Sequence, residues 1–353
     1  MLRAPKSWLS IVAFTASLLC ACSSDEAAGV ARALTGRGKI AVVGGADLRH
    51  LGADGAELVD VSSSPALKAA AFARNGEALA AALAQAGYNG VLVDARPQAL
   101  EAAPDSVAGK LAGYARVPGF TGAYLSPLAA LYTLDPTRGW SDQLRTGIAE
   151  VARRLVAGEE APRLTSFPEA LRRVEPVEVM VLLRSGKQAR LWRSARGSSF
   201  ARALLTAASV ARKRWMEREQ AMGGPLDKQL PALTVEVSLL EDDGEIGSRE
   251  RGFVDRVVTA EHGVAYERKG AWRYYLPEAT HAEPGEKPSS AYARLFAEDA
   301  LPEDSLRSLD LRPYRMAVRV VGVSEGRAPA PPPKTKDEIS DVADPAEVLG
   351  KSK

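Results

Sequence analysis

The sequence predicts an α+β protein in two parts, a small α/β domain over residues 38–138 and a larger α+β domain over residues 139–323. The first part is predicted because short apolar strands alternate with Ala-rich helical segments. The second is predicted because most of its strand patterns occur in pairs joined by short turns, which is typical of antiparallel hairpins with helices packed on them. The composition of the 353-residue chain, 46% hydrophobic and 25% charged, is that of a globular protein.

The first domain is predicted from alternating strand and helix patterns. Its strands are short runs of Val, Ile and Leu, and its helices are rich in Ala. This alternation favours some parallel pairing, while the order of the strands in the sheet stays open. In chain order the predicted elements are strands Ile40–Val43 and Glu57–Val61, helix Pro65–Ala86, strand Tyr88–Asp94, helix Ser106–Tyr114 and strand Phe120–Leu125.

The second domain is predicted from amphipathic helices and hairpins. Its first helix has apolar residues at helical spacing from Leu144 to Leu155. Gly-containing turns at Ser185–Lys187 and at Lys269-Gly270 each join two strands. The predicted elements are helix Ser141–Ala157, strands Val177–Leu183 and Gln188–Trp192, helix Phe200–Gln220, strands Leu233–Leu239, Gly263–Arg268 and Ala271–Leu276, helix Ala291–Glu298 and strand Tyr314–Val323.

Several phrases of the second domain follow one another in a fixed order. They are Val151-Ala-Arg-Arg-Leu, Leu233-Thr-Val-Glu-Val-Ser-Leu-Leu, His262-Gly-Val-Ala-Tyr-Glu-Arg-Lys-Gly and Leu309-Asp-Leu-Arg-Pro-Tyr-Arg-Met-Ala-Val-Arg-Val. In these phrases and in the order of its elements, this half of the chain resembles the AMMECR domain family. The resemblance implies an antiparallel sheet with helices packed on it, and it implies no settled activity.

One departure from that family concerns its signature, a Leu-Arg-Gly-Cys-Ile-Gly run on the second strand. This chain has Ala189-Arg-Leu-Trp-Arg-Ser there and retains only the Arg. No functional residue tied to the signature Cys is therefore transferred to this sequence.

The N-terminus predicts a lipoprotein. Residues 1–21 have a basic start, an apolar stretch and a Leu19-Cys-Ala-Cys22 end that resembles a lipobox, which makes Cys22 the lipidation site. The alternative is an ordinary secretory signal cleaved near Ala21. We expect a lipid anchor in the membrane of the cell envelope, and the outer membrane facing the periplasm if the host is Gram-negative, because no Asp follows Cys22. Residues 22–37 are then predicted to be a flexible tether.

Charge and composition limit the partners. Without residues 1–21 the chain has 44 basic and 44 acidic side chains, so no overall charge favours nucleic acid. Residues 324–353 are rich in Pro and charged residues and poor in large apolar ones, which predicts a disordered tail. The expected partners are a membrane, through the lipid, and either an envelope protein or a small anionic ligand.

The most unusual local feature is a basic stretch from Arg184 to Met216, which has nine basic residues and no acidic one. It includes the predicted start of a long helix, where free backbone N–H groups favour an anion. The alternative is a helix cap with solvated Arg side chains, or pairing with the acidic segment Glu241–Glu245. The predicted anion-binding residues are Arg190, Arg193, Arg196, Ser198 and Ser199.

Known enzyme templates are not matched. The three His residues have no metal-ligand spacing, and the two Cys residues lie in the leader or at the lipidation site, so we predict no metal and no cofactor. No Gly-x-Ser-x-Gly motif and no complete phosphate-loop motif occur. Asp94 follows a predicted strand, where α/β domains place ligand groups, but a turn cap explains it equally. His262 is a candidate base only if it meets an acid, and otherwise a surface turn residue.

These observations predict a membrane-tethered envelope protein without a catalytic residue, which binds an anionic ligand or a protein partner through its AMMECR-like domain. The alternative is an envelope enzyme with an active site between the two domains, around Asp94 and His262.

Overall fold

The computed structural model describes residues 25–96, 104–172, 177–283 and 285–326. The chain has an α+β fold with a large sheet, as predicted. It divides into two compact units: the first combines the chain up to Leu144 with Ser238–Val321, and the second combines Arg145–Val237 with the segment from Gly322 onward. This division differs from the predicted boundary after residue 138.

The first unit contains most of the strands. A single path of hydrogen-bonded strands runs in the order β10-β9-β11-β8-β4-β5-β3-β1-β2. Its elements are α1 (25–34), β1 (Gly38–Val43), β2 (Ala56–Asp60), α2 (Pro65–Phe72), α3 (Gly76–Gln85), β3 (Gly90–Asp94), α4 (Val107–Ala112), β4 (Phe120–Leu125), β5 (Ala129–Leu134), β8 (Thr234–Ile246), α10 (Arg251–Val257), β9 (His262–Arg268), β10 (Ala271–Tyr275), α11 (Pro277–Thr280), α12 (Pro288–Glu298) and β11 (Leu311–Ser324).

Pairing between β4 and β8 explains why the first unit includes late parts of the chain. Tyr124 lies opposite Glu245, and Leu125 lies opposite Ile246, in a parallel arrangement. The strands after β8 therefore extend the sheet begun by the first third of the chain. The sequence phrases of β8, β9 and β11 gave no sign of this pairing, because parallel contacts join residues more than a hundred positions apart.

The parallel strands predicted for the first domain are present. β1 lies between β2 and β3 and is parallel to both, and β5 is antiparallel to β3. Successive residues of β1 point to opposite faces, so Ile40 packs in a cluster with helix α1 while Ala41 packs in the cluster that contains helices α2 and α3. Both faces of these central strands are buried, as parallel strands require.

The predicted tether is wrong over residues 25–34, which form helix α1. Val30 and Leu34 are four residues apart and fully buried in the cluster that contains Ile40. Their spacing places both on one face of a helix, so their burial stabilises it against the sheet. The small and polar neighbours of these two residues concealed that pattern in the sequence.

Other predicted elements differ in their bounds. The predicted helix Pro65–Ala86 is two helices, because Asn75 accepts a hydrogen bond from the backbone of Ala78 and starts α3. Strand β5 and helix α10 were not predicted. The hairpin of β9 and β10 is confirmed, with Lys269 and Gly270 both at positive φ in its turn.

The second unit is built on a hairpin and two long helices. Strand β6 pairs with β7 in antiparallel register and also with β8. The buried face of α7 includes Leu204, Ala208 and Trp215, at the predicted helical spacing. Its further elements are α5 (Asp142–Ala157), α6 (Glu169–Arg172), β6 (Val177–Ser185), β7 (Gln188–Gly197), α7 (Phe200–Met216), α8 (Glu219–Met222) and α9 (Leu226–Gln229).

Three expectations lie outside the described residues: the signal peptide, Cys22 with the first part of the tether, and residues 327–353 of the tail. Within the described ranges, no helix combines the length and apolar character needed to cross a bilayer.

Candidate functional site

The predicted anion site at the basic stretch is not assembled. β7 extends to Gly197, five residues beyond its predicted end, so Arg193 and Arg196 lie within the strand. Arg193 pairs with Val181 of β6, and Arg196 with Glu178. Because the two are three residues apart in a strand, their side chains point to opposite faces of the hairpin and cannot grip one anion together.

The remaining residues of the predicted site have other roles. Arg190 donates a hydrogen bond to the carbonyl of Met222 at 2.9 Å. Ser199 caps α7 by accepting a hydrogen bond from the Arg202 backbone at 3.3 Å, which confirms the helix start and chooses Ser199 over the exposed Ser198. Arg190 and Ser199 therefore have structural roles: Arg190 bonds to a backbone carbonyl, and Ser199 caps α7.

The acidic segment Glu241–Glu245 lies within β8, where Glu241 and Asp243 are buried. Each bonds to an Arg of β11. Arg319 bonds to Glu241 at 3.0 Å, and Arg315 lies 2.8 Å from Asp243. The suggested pairing with the basic stretch is therefore wrong for these two carboxylates.

His262 is buried, with 1% of its surface exposed, so the expectation of a surface turn residue is wrong. Its Nδ1 accepts a hydrogen bond from the Thr259 backbone at 3.2 Å, which leaves the proton on Nε2. Nε2 lies 3.3 Å from Asp243 Oδ2. Burial lowers the pKa of His262, against the opposing effect of Asp243, so the ring is neutral at pH 7.

Arg315 is the centre of this buried group. It is fully buried and donates hydrogen bonds to the carbonyls of Asp243, Tyr114 and Val257 at 3.1, 2.6 and 3.1 Å. Asp243 also accepts a hydrogen bond from the Gly122 backbone at 2.7 Å. Despite desolvation, the nearby Arg315 and His262 keep the pKa of Asp243 below its usual value. We name Asp243, His262 and Arg315 the buried triad.

A second buried pair lies along the same two strands. Arg319 bonds to Glu241 and to Thr121, and it forms an ion pair with Asp135. Glu241 Oε1 has no hydrogen-bond partner among the described residues. Desolvation, with repulsion from Asp243, raises the pKa of Glu241 to about 8.

The buried triad has the residue types of an acid–base site but lacks access. Its three side chains are at most 6% exposed, so a substrate cannot reach His262 in this conformation. Asp94 does not join it, since β11, β8, β4 and β5 separate β3 from β9, a distance of roughly 24 Å at about 4.8 Å per strand. Over the described ranges no group of three or more His, Cys, Asp or Glu could hold a metal.

A groove in the second unit has the opposite character. It has a volume of about 570 Å³ and lies between the end of α5 and the C-terminal half of α7. Met216 is about half exposed in it. Its lining residues are Leu155, Gly158, Glu159, Ala161, Leu205, Ser209, Arg212, Lys213, Met216 and Glu217. We name this the α5–α7 groove.

The charges of the α5–α7 groove are unequally paired. Its acids have partners outside the lining: Glu159 bonds to Arg154 at 2.5 Å, and Glu217 bonds to Arg214 at 2.9 Å. That hydrogen bond from Arg214 also lowers the pKa of Glu217.

The two cations of the groove, Arg212 and Lys213, make no hydrogen bond or ion pair with any described side chain. The guanidinium of Arg212 lies against Gly158, whose φ is +96°, and a Cβ there would approach Arg212 Nη2 to 2.5 Å. Glycine thus leaves room for the guanidinium at the rim. The groove therefore combines apolar lining residues with two positive charges that form no hydrogen bond or ion pair with a described side chain. Arg212 and Lys213 belong to the basic stretch of the sequence but were not among its predicted anion-binding residues.

Comparison with known proteins gives few relatives. No protein-family model and no curated protein matches the chain. Among solved structures, an uncharacterized protein from Pyrococcus horikoshii is similar over 54% of this chain and 96% of its own, with 18% identity and a TM-score of 0.41.

Proposed function

We propose that this protein is a noncatalytic binding protein whose second unit takes a small anionic ligand with an apolar portion in the α5–α7 groove. The observation that carries the proposal is the pair Arg212 and Lys213, two cations that form no hydrogen bond or ion pair with a described side chain, beside exposed Met216. Such a pair attracts a carboxylate or phosphate, and the apolar lining residues take a hydrocarbon chain or ring.

The volume of the groove supports a small ligand. Ligand sites are typically about 300–1,000 Å³ and mostly apolar, with a few polar groups that fix orientation. The α5–α7 groove lies within that range at about 570 Å³. The site also uses part of the strongest charge signal of the sequence, since Arg212 and Lys213 are two of the nine basic residues in the stretch that has no acidic residue.

We retain the location that the sequence predicts, a membrane of the cell envelope. Cys22 anchors the chain to an envelope membrane through its lipid, and the second half of the chain is a divergent AMMECR-like domain. The support for both lies in the sequence: the Leu19-Cys-Ala-Cys22 run and the ordered phrases from Val151 to Val320. Cys22→Ser should abolish labelling by a radioactive fatty acid in cells, and labelling that persists would contradict the anchor.

The groove is tested by calorimetric titration of the full chain with octanoate and with 1-octanol, which share an alkyl chain and differ in charge. The double variant Arg212→Gln with Lys213→Gln should weaken octanoate binding about tenfold, because it removes two charge-assisted contacts. Octanol binding should change less than twofold. Equal binding of both compounds to the unchanged chain, or no octanoate binding, would contradict the proposal.

The matched control is Lys187→Gln with Arg202→Gln. Both are exposed basic residues of the same unit, and neither lines the groove. Because the control also removes two positive charges, it has the same net charge as the test variant. It should bind octanoate within twofold of the unchanged chain. An equal loss in the control would show a general charge effect and reject the site.

The alternative function, an enzyme that uses Asp94 and His262, has less support. The two residues lie on strands separated by four others, and His262 is 1% exposed. Its favouring observation is the carboxylate of Asp243 beside the His262 ring. A turnover that is lost in His262→Gln, while the fold is kept, would replace the binding proposal with this one.

A further inference from the structure

A second group of charged side chains lies at the carboxyl ends of the parallel strands in the first unit. β1 lies between β2 and β3, and the chain leaves β1 toward one side and then returns on the other. In open α/β sheets a crevice forms where the direction of the connections changes, and ligands bind there. Residues 44–47 follow β1 here, and β3 ends at Asp94, which Ala95 and Arg96 follow.

Arg96 is held at this crevice by a buried carboxylate. Its Nε donates to Asp94 Oδ1 at 2.9 Å, and its Nη2 donates to Asp94 Oδ2 at 2.5 Å. Asp94 is 3% exposed and also accepts a hydrogen bond from the Arg96 backbone at 3.0 Å. The inner edge of the guanidinium is therefore fixed by the sheet, and Asp94 acts as a positioning residue.

The outer edge of Arg96 faces a surface carboxylate. Nη1 and Nη2 donate to Asp47 Oδ2 and Oδ1, both at 2.8 Å, in the forked geometry that arginine uses to recognise carboxylates and phosphates. The Asp47 side chain is 61% exposed and stands on a short 3-10 helix, Ala46–His50. It thus occupies, on the solvent side, the place that a ligand's anionic group would take.

Gly45 makes this arrangement possible. A Cβ on Gly45 would lie 2.3 Å from Asp94 Oδ2, 2.6 Å from Arg96 Nη2 and 2.8 Å from Asp47 Oδ1. All three polar groups therefore converge on the one backbone position that has no side chain.

We propose that Arg96 is an anion-binding residue of the first unit, and that a small carboxylate- or phosphate-bearing ligand binds its outer edge by displacing Asp47. The exchange keeps the charge balance, because one anionic partner replaces another. The exposed position of Asp47 makes its displacement inexpensive, while buried Asp94 keeps the guanidinium in place. This site is independent of the α5–α7 groove.

The test observes the Nε–Hε signal of Arg96 by ¹⁵N nuclear magnetic resonance while inorganic phosphate or acetate is added. Asp47→Ala removes the internal competitor, so one of these anions should bind at least tenfold more tightly than to the unchanged chain. Asp47→Asn, which keeps the side-chain volume, should give a smaller gain in the same direction. Preference for phosphate or for acetate identifies the chemical source of the ligand.

Asp54→Ala is the matched control, because it removes one exposed carboxylate at the opposite edge of the parallel strands and leaves Arg96 paired. It should behave as the unchanged chain. Arg96→Lys in the Asp47→Ala background should lose the gain in anion affinity, because lysine lacks the forked guanidinium. Anion binding to this variant is monitored by the backbone amide signals of residues 44–47. The proposal is overturned if both Asp47 variants fold but bind neither anion more tightly, or if Asp54→Ala gives the same gain.

Discussion

The buried triad of the first unit and the α5–α7 groove of the second use the same kinds of side chain in opposite ways. In the triad, Arg315 and Asp243 are sealed from solvent and held by several partners. In the groove, Arg212 and Lys213 reach solvent and form no hydrogen bond or ion pair with a described side chain. Burial and pairing, rather than residue type, therefore separate charges that maintain a fold from charges that are accessible to a ligand.

The largest expected effect is the loss of stability on removing the cation of the buried triad. Arg315→Met should lower the free energy of unfolding by about 3–5 kcal/mol, because it leaves Asp243 buried without a cation. Urea denaturation followed by circular dichroism measures this loss. The matched change in the groove, Arg212→Met, should shift stability by less than about 0.5 kcal/mol. Equal losses in the two variants would remove the distinction.

The second effect is a pH dependence that Glu241 causes. Its folded pKa of about 8 lies above the ordinary 4.5, so the folded state binds the extra proton, and stability is lost as the pH rises toward 8. Between pH 6.5 and 9 the loss should reach about 2 kcal/mol at most, because the ion pair with Arg319 opposes it. Glu241→Gln should flatten this part of the profile; an unchanged slope would show that Glu241 is ionised throughout.

Below pH 6.5 His262 contributes a pH dependence of the opposite sign, superimposed on that of Glu241, which continues down to about pH 4.5. The pKa of His262 is lowered in the folded state, so the unfolded state takes up protons first and stability falls as the pH drops below the ordinary value of 6.5. Asp243, with its lowered pKa, adds a further loss below about pH 4. In the Glu241→Gln background, which lacks the opposing contribution of Glu241, His262→Gln should reduce the decline between pH 6.5 and 5 in thermal unfolding curves. A decline of the same size in the variant would assign it to other groups.

The smallest expected effect sharpens the comparison within the basic stretch itself. Arg193→Ala with Arg196→Ala should leave octanoate binding within twofold, because the two side chains lie on opposite faces of β7 and neither lines the groove. The same calorimetric titration measures it. A tenfold loss would restore the turn before α7 as the ligand site.

The sequence was informative where local pattern decides structure. A cap residue predicts the helix start at Ser199, and turn residues predict the β9–β10 turn at Lys269-Gly270. These two features depend on neighbours close in the chain. The parallel pairing in the first domain follows from apolar runs that alternate with helices.

The candidate sites were less predictable, because they depend on contacts between distant residues. His262 looked like a surface residue, since nothing near it in the sequence shows that β8 brings Asp243 beside it. Arg193 and Arg196 were predicted to share a turn, and five further ladder pairs up to Gly197 place them on opposite faces of the hairpin. Asp94 was recognised as a strand-end residue, while its partner Arg96 and the second carboxylate on that arginine, Asp47, were missed.

The measurement that tests the central claim most directly is photoaffinity labelling of the full chain with a diazirine-bearing medium-chain carboxylate, with the modified residues located by mass spectrometry. We predict adducts on the groove segments 158–161 and 205–217. These adducts should be absent from the variant Arg212→Gln with Lys213→Gln, and excess octanoate, but not octanol, should prevent them. Adducts confined to other parts of the chain, or labelling that octanol prevents equally, would contradict it.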